Sequence, residues 1–522
     1  MKRSIVGVAL SLVPLAAPVR AQTFPMDDPV LRRIWSVGVD SSRVMDLAQV
    51  LTDSIGPRLT GTPGIEASQA WLAASYAGWG VDARREPYGT WKGWRRGVTH
   101  LDLIAPRVRT LEATILAWSP GTRRRKVQGR VVNFPELADS AAYASWLPSV
   151  KGAFVLMSAA QASCRPADNW EKFGSTGAAT RMADERRAQT DAWTARMRKS
   201  GLDNRALNEA LDRAGAAGVI TSTWSGGWGV TRIFSTRNER TPALDLSCED
   251  YGLLWRLAEK KQGPVLRLEA DAEFMGEVPV ANTIATIRGS ERPDEYIMLS
   301  AHLDSWDGAS GATDNGTGTI TMLEAVRILR QAYPNPKRTI IVGHWGGEEQ
   351  GLIGSRSWAA DHPEVVSGLH ALFNQDNGTG RVRQISMSGL TGAGSAFGKW
   401  FSRLPSELTD SLNLANPGTP GGGGTDHASF VCYGAPGFGL GSLNWDYFTY
   451  TWHTNRDTYD KIVPDDLRRN ATLTAMLVYL ADQEPEKLPR DRRVLPVNRQ
   501  SGQQMTWPEC QKPARAYSEW TR

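Results

Sequence analysis

The stretch YIMLSAHLD, residues 296–304, decides the fold class of this chain. Its first four residues form a continuous apolar run, as expected for a strand that is buried on both faces. Residues 339–342, TIIV, repeat that character, and residues 369–373 and 438–440 do so less clearly. The sequence therefore predicts a set of buried strands in its second half.

Helical patterns separate these runs. Met322, Val326 and Leu329 fall on one helical face between the first two strands, and a leucine repeat in residues 473–480 marks a last helix. The alternation of strands and helices predicts an α/β fold, with a mostly parallel mixed sheet flanked by helices.

The character of the sequence also changes along the chain. Residues 22–90 have helical patterns, residues 91–275 contain short β runs, and residues 276–484 hold the strand–helix alternation. A polar, charged segment, residues 181–208, interrupts the β runs and is expected to form a helix or a mobile loop. The polar tail, residues 485–522, is expected to lie on the surface. We therefore expect a β-rich region inserted into an α/β domain.

Charge and composition argue against several classes of protein. The net charge of +5 is small for 522 residues, and we find neither a clustered basic face nor a nucleic-acid-binding motif. Charged residues make up 22% of the chain and hydrophobic residues 41%, which is typical of a globular protein. Beyond the N-terminus no apolar segment reaches the length of a membrane span. We expect no nucleic-acid partner, and the oligomeric state stays open.

The N-terminus carries a targeting signal. Lys2 and Arg3 precede an apolar stretch, residues 5–18, and small residues follow at the positions that a signal peptidase inspects. We predict a signal peptide over residues 1–21, cleaved before Gln22, which would export the protein to the periplasm or the extracellular space and leave no membrane span. An uncleaved anchor is the alternative.

Four cysteines accompany this signal, and export permits disulfides. Sequence alone does not choose among the three possible pairings. Cys164 with Cys248, both in the middle region, is the pair to test first.

Residue types that bind metals follow the predicted strands. His302 and Asp304 close the opening stretch two residues apart, so on an extended backbone they point to the same side. This spacing suits an imidazole on a metal with a carboxylate at its other ring nitrogen. Four further segments, in chain order, supply carboxylates and a second histidine: ATDNG with Asp314, GEEQG with Glu348 and Glu349, NQD with Asp376, and WHT with His453.

The physical argument favours a single site. In an open α/β sheet the loops beyond the carboxyl ends of the strands converge. Imidazole and carboxylate ligands suit Zn²⁺, although harder ions such as Mn²⁺ also accept them. Two ions that share one carboxylate can together activate water.

Each segment alone has an ordinary structural explanation. Asp-Asn-Gly is usually a turn, and a Glu-Glu pair is usually a solvated helix start. His427 could likewise be a turn residue, and His344 could line the site. His100, His362 and His370 are assigned structural roles. The joint order of the five segments argues against coincidence.

Together the motifs AHLDSW, ATDNGTG, GEEQGLIGS, NQD, TDHASF and WHTNRDT resemble the co-catalytic zinc aminopeptidase family, which also contains carboxypeptidase Q. The resemblance covers about half of the chain: residues 278–481 and the helical part before residue 88. It implies a zinc exopeptidase fold and two Zn²⁺ per chain.

The resemblance also implies a role for each residue. Asp314 bridges the two ions, and its peptide bond to Asn315 is cis. His302 and Asp376 bind one ion, and Glu349 and His453 bind the other. Glu348 is the catalytic base, and Asp304 is the partner of His302.

The middle region has its own resemblance. Val150-Lys151-Gly152 and AGAAGVI, residues 214–220, are similar to a protease-associated domain. In such relatives this insert often roofs the active site, so residues 181–208 are expected to influence the choice between short and long peptides.

The predicted activity is hydrolysis of a terminal peptide bond of a peptide or dipeptide, with an aminopeptidase favoured. A carboxypeptidase Q-like carboxypeptidase or dipeptidase is the alternative. Two further alternatives are a single-zinc aminoacyltransferase resembling glutaminyl cyclase and a receptor-like module without catalysis. The full ligand set argues against both of these.

Overall fold

A computed structural model describes residues 27–421 and 423–520. The predicted signal peptide, residues 1–21, and its cleavage site before Gln22 lie outside the described residues. The strands are β1 (Asp82–Ala105), β2 (Arg109–Leu111), β3 (Ala113–Ile115), β4 (Val127–Asn133), β5 (Phe154–Leu156), β6 (Gly218–Thr221), β7 (Ala243–Leu246), β8 (Val265–Ile287), β9 (Arg292–His302), β10 (Arg338–Trp345), β11 (Leu369–Asn374), β12 (Val382–Ser386), β13 (Asn413–Ala415) and β14 (Gly437–Ser442).

The helices follow the order that the sequence patterns predict for the second half of the chain. They are α1 (Pro29–Trp35), α2 (Val44–Gln49), α3 (Pro63–Gly78), α4 (Ser140–Trp146), α5 (Ala167–Phe173), α6 (Ala178–Arg198), α7 (Asn204–Arg213), α8 (Cys248–Glu259), α9 (Thr317–Ala332), α10 (Ile353–Asp361), α11 (Pro363–Gly368), α12 (Ala393–Phe401), α13 (Ser406–Thr409), α14 (Ala428–Val431), α15 (Tyr447–Tyr450), α16 (Pro464–Gln483) and α17 (Tyr517–Trp520). None of the helices in the described part of the chain is long and apolar enough to span a membrane.

The sheet of the second half has the order β13-β12-β14-β11-β9-β10-β8. Strands β14, β11, β9 and β10 are parallel to one another, whereas β8 and β12 pair antiparallel at the two sides. The predicted α/β class with a mostly parallel mixed sheet is confirmed.

Both faces of this sheet are covered by helices. In β9, Ile297 and Leu299 pack into the core that contains α9 and α16, whereas Met298 packs on the opposite face against Trp358 and Phe430. Successive side chains of a strand point to opposite faces, so a strand between two helical layers needs a continuous apolar run. This explains the continuous apolar run of residues 296–299.

A long two-stranded ribbon joins the two halves of the molecule. Strand β1 has 24 residues and β8 has 23, and they pair antiparallel almost throughout. The expectation of helices up to residue 90 is wrong for residues 82–90, which belong to β1. Charged residues and glycines interrupt the apolar pattern of β1, so its partner strand defines it rather than its own periodicity. The predicted boundaries of the insert fall within this ribbon, where Trp91 pairs with Val278.

The residues between β1 and β8, here called the insert, contain four neighbouring parallel strands, β4, β5, β6 and β7, and β4 joins them to β8 by antiparallel pairing. Phe154 and Leu156 of β5 pack on one face, and Val155 packs on the other against Leu207 and Leu211 of α7. Residues 181–208, predicted as a helix or a mobile loop, fall in α6 and the start of α7. The insert therefore has an apolar core on each face of its sheet.

Two disulfides and the tail complete the fold. Cys164 is bonded to Cys248, the pair that the sequence placed first, and Cys432 is bonded to Cys510. The described part of the tail, residues 485–520, is mostly exposed or half-buried and includes α17. There the ring of Trp520 lies 5.8 Å from that of Trp118, so the tail closes an aromatic cluster next to the carboxyl ends of the strands.

Candidate metal centre

The predicted metal-binding residues lie at the carboxyl ends of parallel strands. His302 is the last residue of β9, Asp376 follows β11 by two residues, and the Glu348–Glu349 pair follows β10. Asp314 lies in a single turn, Ala312–Gly316, that leads into α9. Parallel strands bring their carboxyl ends to one edge, so residues far apart in sequence converge there.

These residues form two clusters that share one carboxylate. His302, Asp314 and Asp376 offer ligand atoms within 4.8 Å of one another, and so do Asp314, Glu349 and His453. The structure therefore brings together all five residues that the sequence argument selected as metal ligands.

Asp314 stands between the two histidines. Its Oδ1 lies 3.4 Å from Nε2 of His302, and its Oδ2 lies 3.2 Å from Nε2 of His453. The other carboxylates complete the pairs: Asp376 Oδ1 is 3.0 Å from His302 Nε2, and Glu349 Oε2 is 2.9 Å from His453 Nε2. The two oxygens of Asp314 thus face two different ligand sets.

The donor set fits a pair of divalent cations. One buried carboxylate, two partly buried carboxylates and two imidazoles share this small volume, and Oδ2 of Asp314 is buried without a hydrogen-bond partner among the described residues. Nitrogen and carboxylate oxygen are the ligands that zinc takes in such sites. Cations between these groups would offset the crowded negative charge.

Electrostatics of the centre show the same crowding. Burial alone would lower the pKa of His302, but the charges of Asp376 and Glu348 outweigh burial and raise it. The pKa of His453 rises to about 10, since the attraction of Glu349 and Asp314 exceeds the cost of burial. The surrounding carboxylates therefore favour positive charge at both imidazoles.

Asp304 contacts His302, its predicted partner, through its backbone carbonyl rather than through its carboxylate. Nδ1 of His302 donates a 2.9 Å hydrogen bond to the backbone carbonyl of Asp304, while the Asp304 carboxylate lies 3.6 Å away. That carboxylate instead accepts hydrogen bonds from the backbone N–H groups of Glu348 and Glu349, at 3.1 and 3.3 Å. The hydrogen bond at Nδ1 leaves the Nε2 lone pair of His302 available for a metal. Asp304 thereby positions both the histidine and the Glu pair.

Glu348 lies beside the first cluster without belonging to it. Its Oε2 is 4.0 Å from Nε2 of His302. Burial raises the pKa of Glu348 well above its usual value, and the charges of Asp376 and Asp426 add to that rise. A carboxylate with a raised pKa close to a metal site is suited to accept a proton and release it.

Two functional residues escaped the sequence argument. Asp457 accepts hydrogen bonds from the backbone N–H groups of Thr313 and Asp314, at 2.8 and 3.0 Å. Arg58 is fully buried beneath the centre and donates to the carbonyl oxygens of Leu303 and Gly311. Burial lowers the pKa of Arg58 to about 10. Only the position of Asp457 in the WHTNRDT motif could have suggested its role.

The structure also describes the peptide bond after Asp314 and the two remaining histidines that the sequence placed near the site. The Asp314–Asn315 peptide bond is cis, as the family resemblance implies. His427 is part of neither metal cluster, and its ring lies against Gly439. His344 hydrogen-bonds Tyr76 through Nε2 at 2.7 Å and is buried, so it has a structural role rather than lining the centre.

The inserted region reaches the second cluster. The ring of Phe234, in the segment between β6 and β7, lies 5.3 Å from the rings of both His453 and Trp306. Trp452 stacks on His453 with a centroid distance of 3.9 Å. Aromatic side chains therefore enclose this proposed ligand on several sides.

Comparison with known proteins agrees with this geometry. Residues 282–478 match the model of peptidase family M28. The chain is similar to carboxypeptidase Q of Bos taurus, at 26% identity over 457 residues, covering 87% of this chain and 88% of the relative. The Homo sapiens carboxypeptidase Q is 25% identical over 458 residues, with the same coverage.

Solved structures share the fold. A peptidase M28 precursor from Shewanella amazonensis superposes with a TM-score of 0.63 at 24% identity, covering 88% of this chain and 97% of that one. A zinc aminopeptidase from Bacillus subtilis superposes with a TM-score of 0.54 at 19% identity, covering 86% and 97%. The match of residues 282–478 to peptidase family M28 and the likeness of most of the chain to carboxypeptidase Q thus support the zinc metallopeptidase family and the metallo-exopeptidase activity that the motifs indicated.

Proposed function

We propose that this exopeptidase works with two zinc ions. His302 and Asp376 would hold one ion, Glu349 and His453 the other, and Asp314 would bridge them. The observation that carries the proposal is the sharing of Asp314, whose two oxygens face two different histidines at 3.4 and 3.2 Å.

The residues of the chain divide the work of hydrolysis between them. When bound, a zinc pair polarises the scissile carbonyl and lowers the pKa of water. Glu348 accepts the proton of the attacking water and passes it to the leaving amine, so it acts first as a base and then as an acid. Asp304 holds the backbone of Glu348 through the 3.1 Å hydrogen bond and so keeps the base in place.

An aminopeptidase, which removes the N-terminal residue of a peptide, is the first candidate for the direction of attack. Both carboxylate oxygens of Asp426 are buried and have no hydrogen-bond partner within the described ranges. Burial raises the pKa of Asp426 to about 7, and the charges of Asp376 and Asp304 add to the rise, which places this carboxylate close to the centre. The α-ammonium group of a substrate would supply the missing counter-charge, since buried charges need a partner.

A carboxypeptidase or dipeptidase resembling carboxypeptidase Q is the second candidate. The observation in its favour is coverage, since those relatives match 87% of this chain, including the inserted region. A single-zinc aminoacyltransferase and a non-catalytic receptor have less support, because all five ligand residues and the base lie together.

We also propose that the protein is exported. Two disulfides join the four cysteines of the chain, and disulfides persist in oxidising compartments. A periplasmic or extracellular location fits this chemistry. The N-terminal sequence of the mature protein, expected to begin at Gln22, tests it directly.

Metal analysis and blocked substrates test the activity. Zinc-replete protein should hold two zinc ions per chain, and chelation should abolish hydrolysis until zinc is restored. An aminopeptidase cleaves a dipeptide amide but not an N-acetyl dipeptide, and a carboxypeptidase shows the reverse preference. A strict dipeptidase cleaves only the free dipeptide. One ion or none under zinc-replete conditions would contradict the two-zinc proposal.

A further inference from the structure

The insert contains two adjacent cavities. The larger, about 660 Å³, lies between α6 and the carboxyl ends of β5 and β6, where Ser158 and Ser222 line it. The smaller, about 300 Å³, lies along the segment that contains Phe234. Four residues line both cavities, which therefore adjoin and are here together called the groove: Asn204, Asn208, Thr221 and Thr223. Carboxyl ends of parallel strands are a common location for ligand sites.

The groove leads to the candidate metal centre. Phe234 lines its smaller cavity, and the same ring lies 5.3 Å from His453 and from Trp306. Backbone hydrogen bonds keep this segment in place, since N–H of Ile233 donates to the carbonyl of His453 at 2.8 Å. One end of the groove is therefore next to the second cluster of ligands.

The lining of the groove suits an extended peptide. Thr190, Thr194 and Asn208 line the larger cavity, together with the apolar side chains of Trp193 and Met197. The three polar side chains donate to carbonyl oxygens of their own helices, so their side-chain oxygens are left to accept hydrogen bonds. The smaller cavity adds apolar surface from Leu116 and Val219. Polar groups of this kind can hydrogen-bond a peptide backbone while the apolar surface receives side chains.

We infer that this groove binds the part of a peptide substrate that lies beyond the dipeptide at the scissile bond. The inference rests on the proposed peptidase function and adds to it a preference for peptides of more than two residues. Binding free energy from these distal residues would then favour long substrates over dipeptides. We expect the substrate peptide in the groove because Phe234 lines the groove and also contacts His453 of the second cluster.

A blocking substitution at the junction of the two cavities tests the inference. Asn208 is half-buried on α7 and lines both cavities, so Asn208→Trp would fill the passage. Arg213→Trp, on the same helix at a side chain that is 66% exposed and lines neither cavity, is the matched control. Both variants are loaded with zinc, and thermal unfolding verifies their fold.

The measurement is kcat/KM for free di-, tri-, tetra- and hexa-alanine. The wild-type enzyme and the control should favour hexa-alanine over the dipeptide by about tenfold, which corresponds to ~1.4 kcal/mol of distal binding. Asn208→Trp should lose this preference through a higher KM for the long peptides, with dipeptide hydrolysis unchanged. If kcat/KM of Asn208→Trp depends on peptide length as strongly as that of the control, the inference is overturned.

A binding measurement separates this inference from the proposed function. In the Glu348→Gln background, titration calorimetry compares hexa-alanine with the dipeptide, and again with Asn208→Trp added. Tighter binding of hexa-alanine that Asn208→Trp removes supports the groove, whatever the rate of hydrolysis. Equal binding of both peptides overturns the groove, whereas a zinc-loaded wild-type enzyme that hydrolyses none of the peptides contradicts the proposed function instead. If Asn208→Trp does not fold, Thr194→Trp, from α6 across the larger cavity, takes its place.

Discussion

The backbone N–H of Ile233 donates a 2.8 Å hydrogen bond to the carbonyl oxygen of His453. Ile233 belongs to the inserted region, between β6 and β7, whereas His453 lies in the α/β domain and is a proposed zinc ligand. His453 has a φ of 60°, which residues with a side chain rarely adopt and which neighbouring contacts must hold. The insert therefore supports the conformation of a residue in the candidate centre.

Asn455 allows this support to be tested. Its Oδ1 accepts a hydrogen bond from N–H of Thr231, and its Nδ2 donates to the carbonyl of Gly229, both at 3.0 Å. Asn455→Ala removes both bonds, each worth about 1 kcal/mol, so zinc at the Glu349–His453 position should bind up to roughly 30-fold more weakly. Competition with a chromophoric chelator measures the two affinities. Asn169→Ala, on the exposed α5, is the control. If Asn455→Ala leaves both zinc affinities as they are in the wild type, the expected support is contradicted.

The Glu pair should separate catalysis from metal binding. Glu348→Gln preserves size but removes the base, so the rate should fall by roughly 10²–10⁴-fold while two zinc ions remain. Glu349→Ala should lose the ion held with His453, since the Glu349 carboxylate lies 2.9 Å from that imidazole. Zinc content and kcat are measured on the same samples. Equal zinc contents in the two variants would show that this division of roles is wrong.

Asp457 should affect both ions rather than one. Its carboxylate holds the backbone of Thr313 and Asp314, and Asp314 is the shared ligand. Asp457→Asn leaves an amide hydrogen facing one of these N–H groups, and hydrogen bonds to a charged acceptor contribute about 1.5–3 kcal/mol. Both zinc affinities should fall, in contrast to Asn455→Ala. Asp460→Asn, an exposed carboxylate three residues on, provides the comparison, and loss at a single position would argue against Asp457 acting through Asp314.

His370 should make the fold sensitive to acid. Its Nδ1 accepts from N–H of Leu488 and its Nε2–H donates to the carbonyl of Ala481, so only the neutral ring satisfies both bonds. Burial, together with the charge of Arg338, lowers its pKa from 6.5 to about 3. Between these values the unfolded chain binds the proton and the folded chain does not, so the free energy of unfolding falls as the pH falls. The expected slope from this group is about 1.4 kcal/mol per pH unit.

His370→Gln can replace both hydrogen bonds without titrating. Its free energy of unfolding, measured by denaturant titration in chelator at pH 8, 6 and 5, should depend less steeply on pH than that of the wild type. His100→Gln, at a side chain that is 57% exposed, should retain the wild-type slope. A slope in His370→Gln as steep as in the wild type would assign the acid sensitivity to other groups.

Much of the α/β domain was predictable from the sequence because its signals are local. Met322, Val326 and Leu329 lie in α9, the helix that their spacing predicted, and are buried together with all of residues 317–329. The strand 296–299 was recognisable because burial on two faces requires a continuous apolar run. The residue types of His302 and Asp376 and their position after strands also led to the centre, since parallel strands end at one edge.

Tertiary structure decided the features that depend on distant pairing. The bond between Asp314 and Asp457 joins residues 143 positions apart, and that between Arg58 and Leu303 joins residues 245 apart. A buried arginine or an aspartate after a turn has many ordinary roles, and only the folded chain selects one. Strand β1 likewise exists because β8 supplies its hydrogen bonds, and its own sequence carries no clear alternation. Local periodicity follows from burial of each element, whereas contacts between elements follow from register and packing, which no single segment encodes.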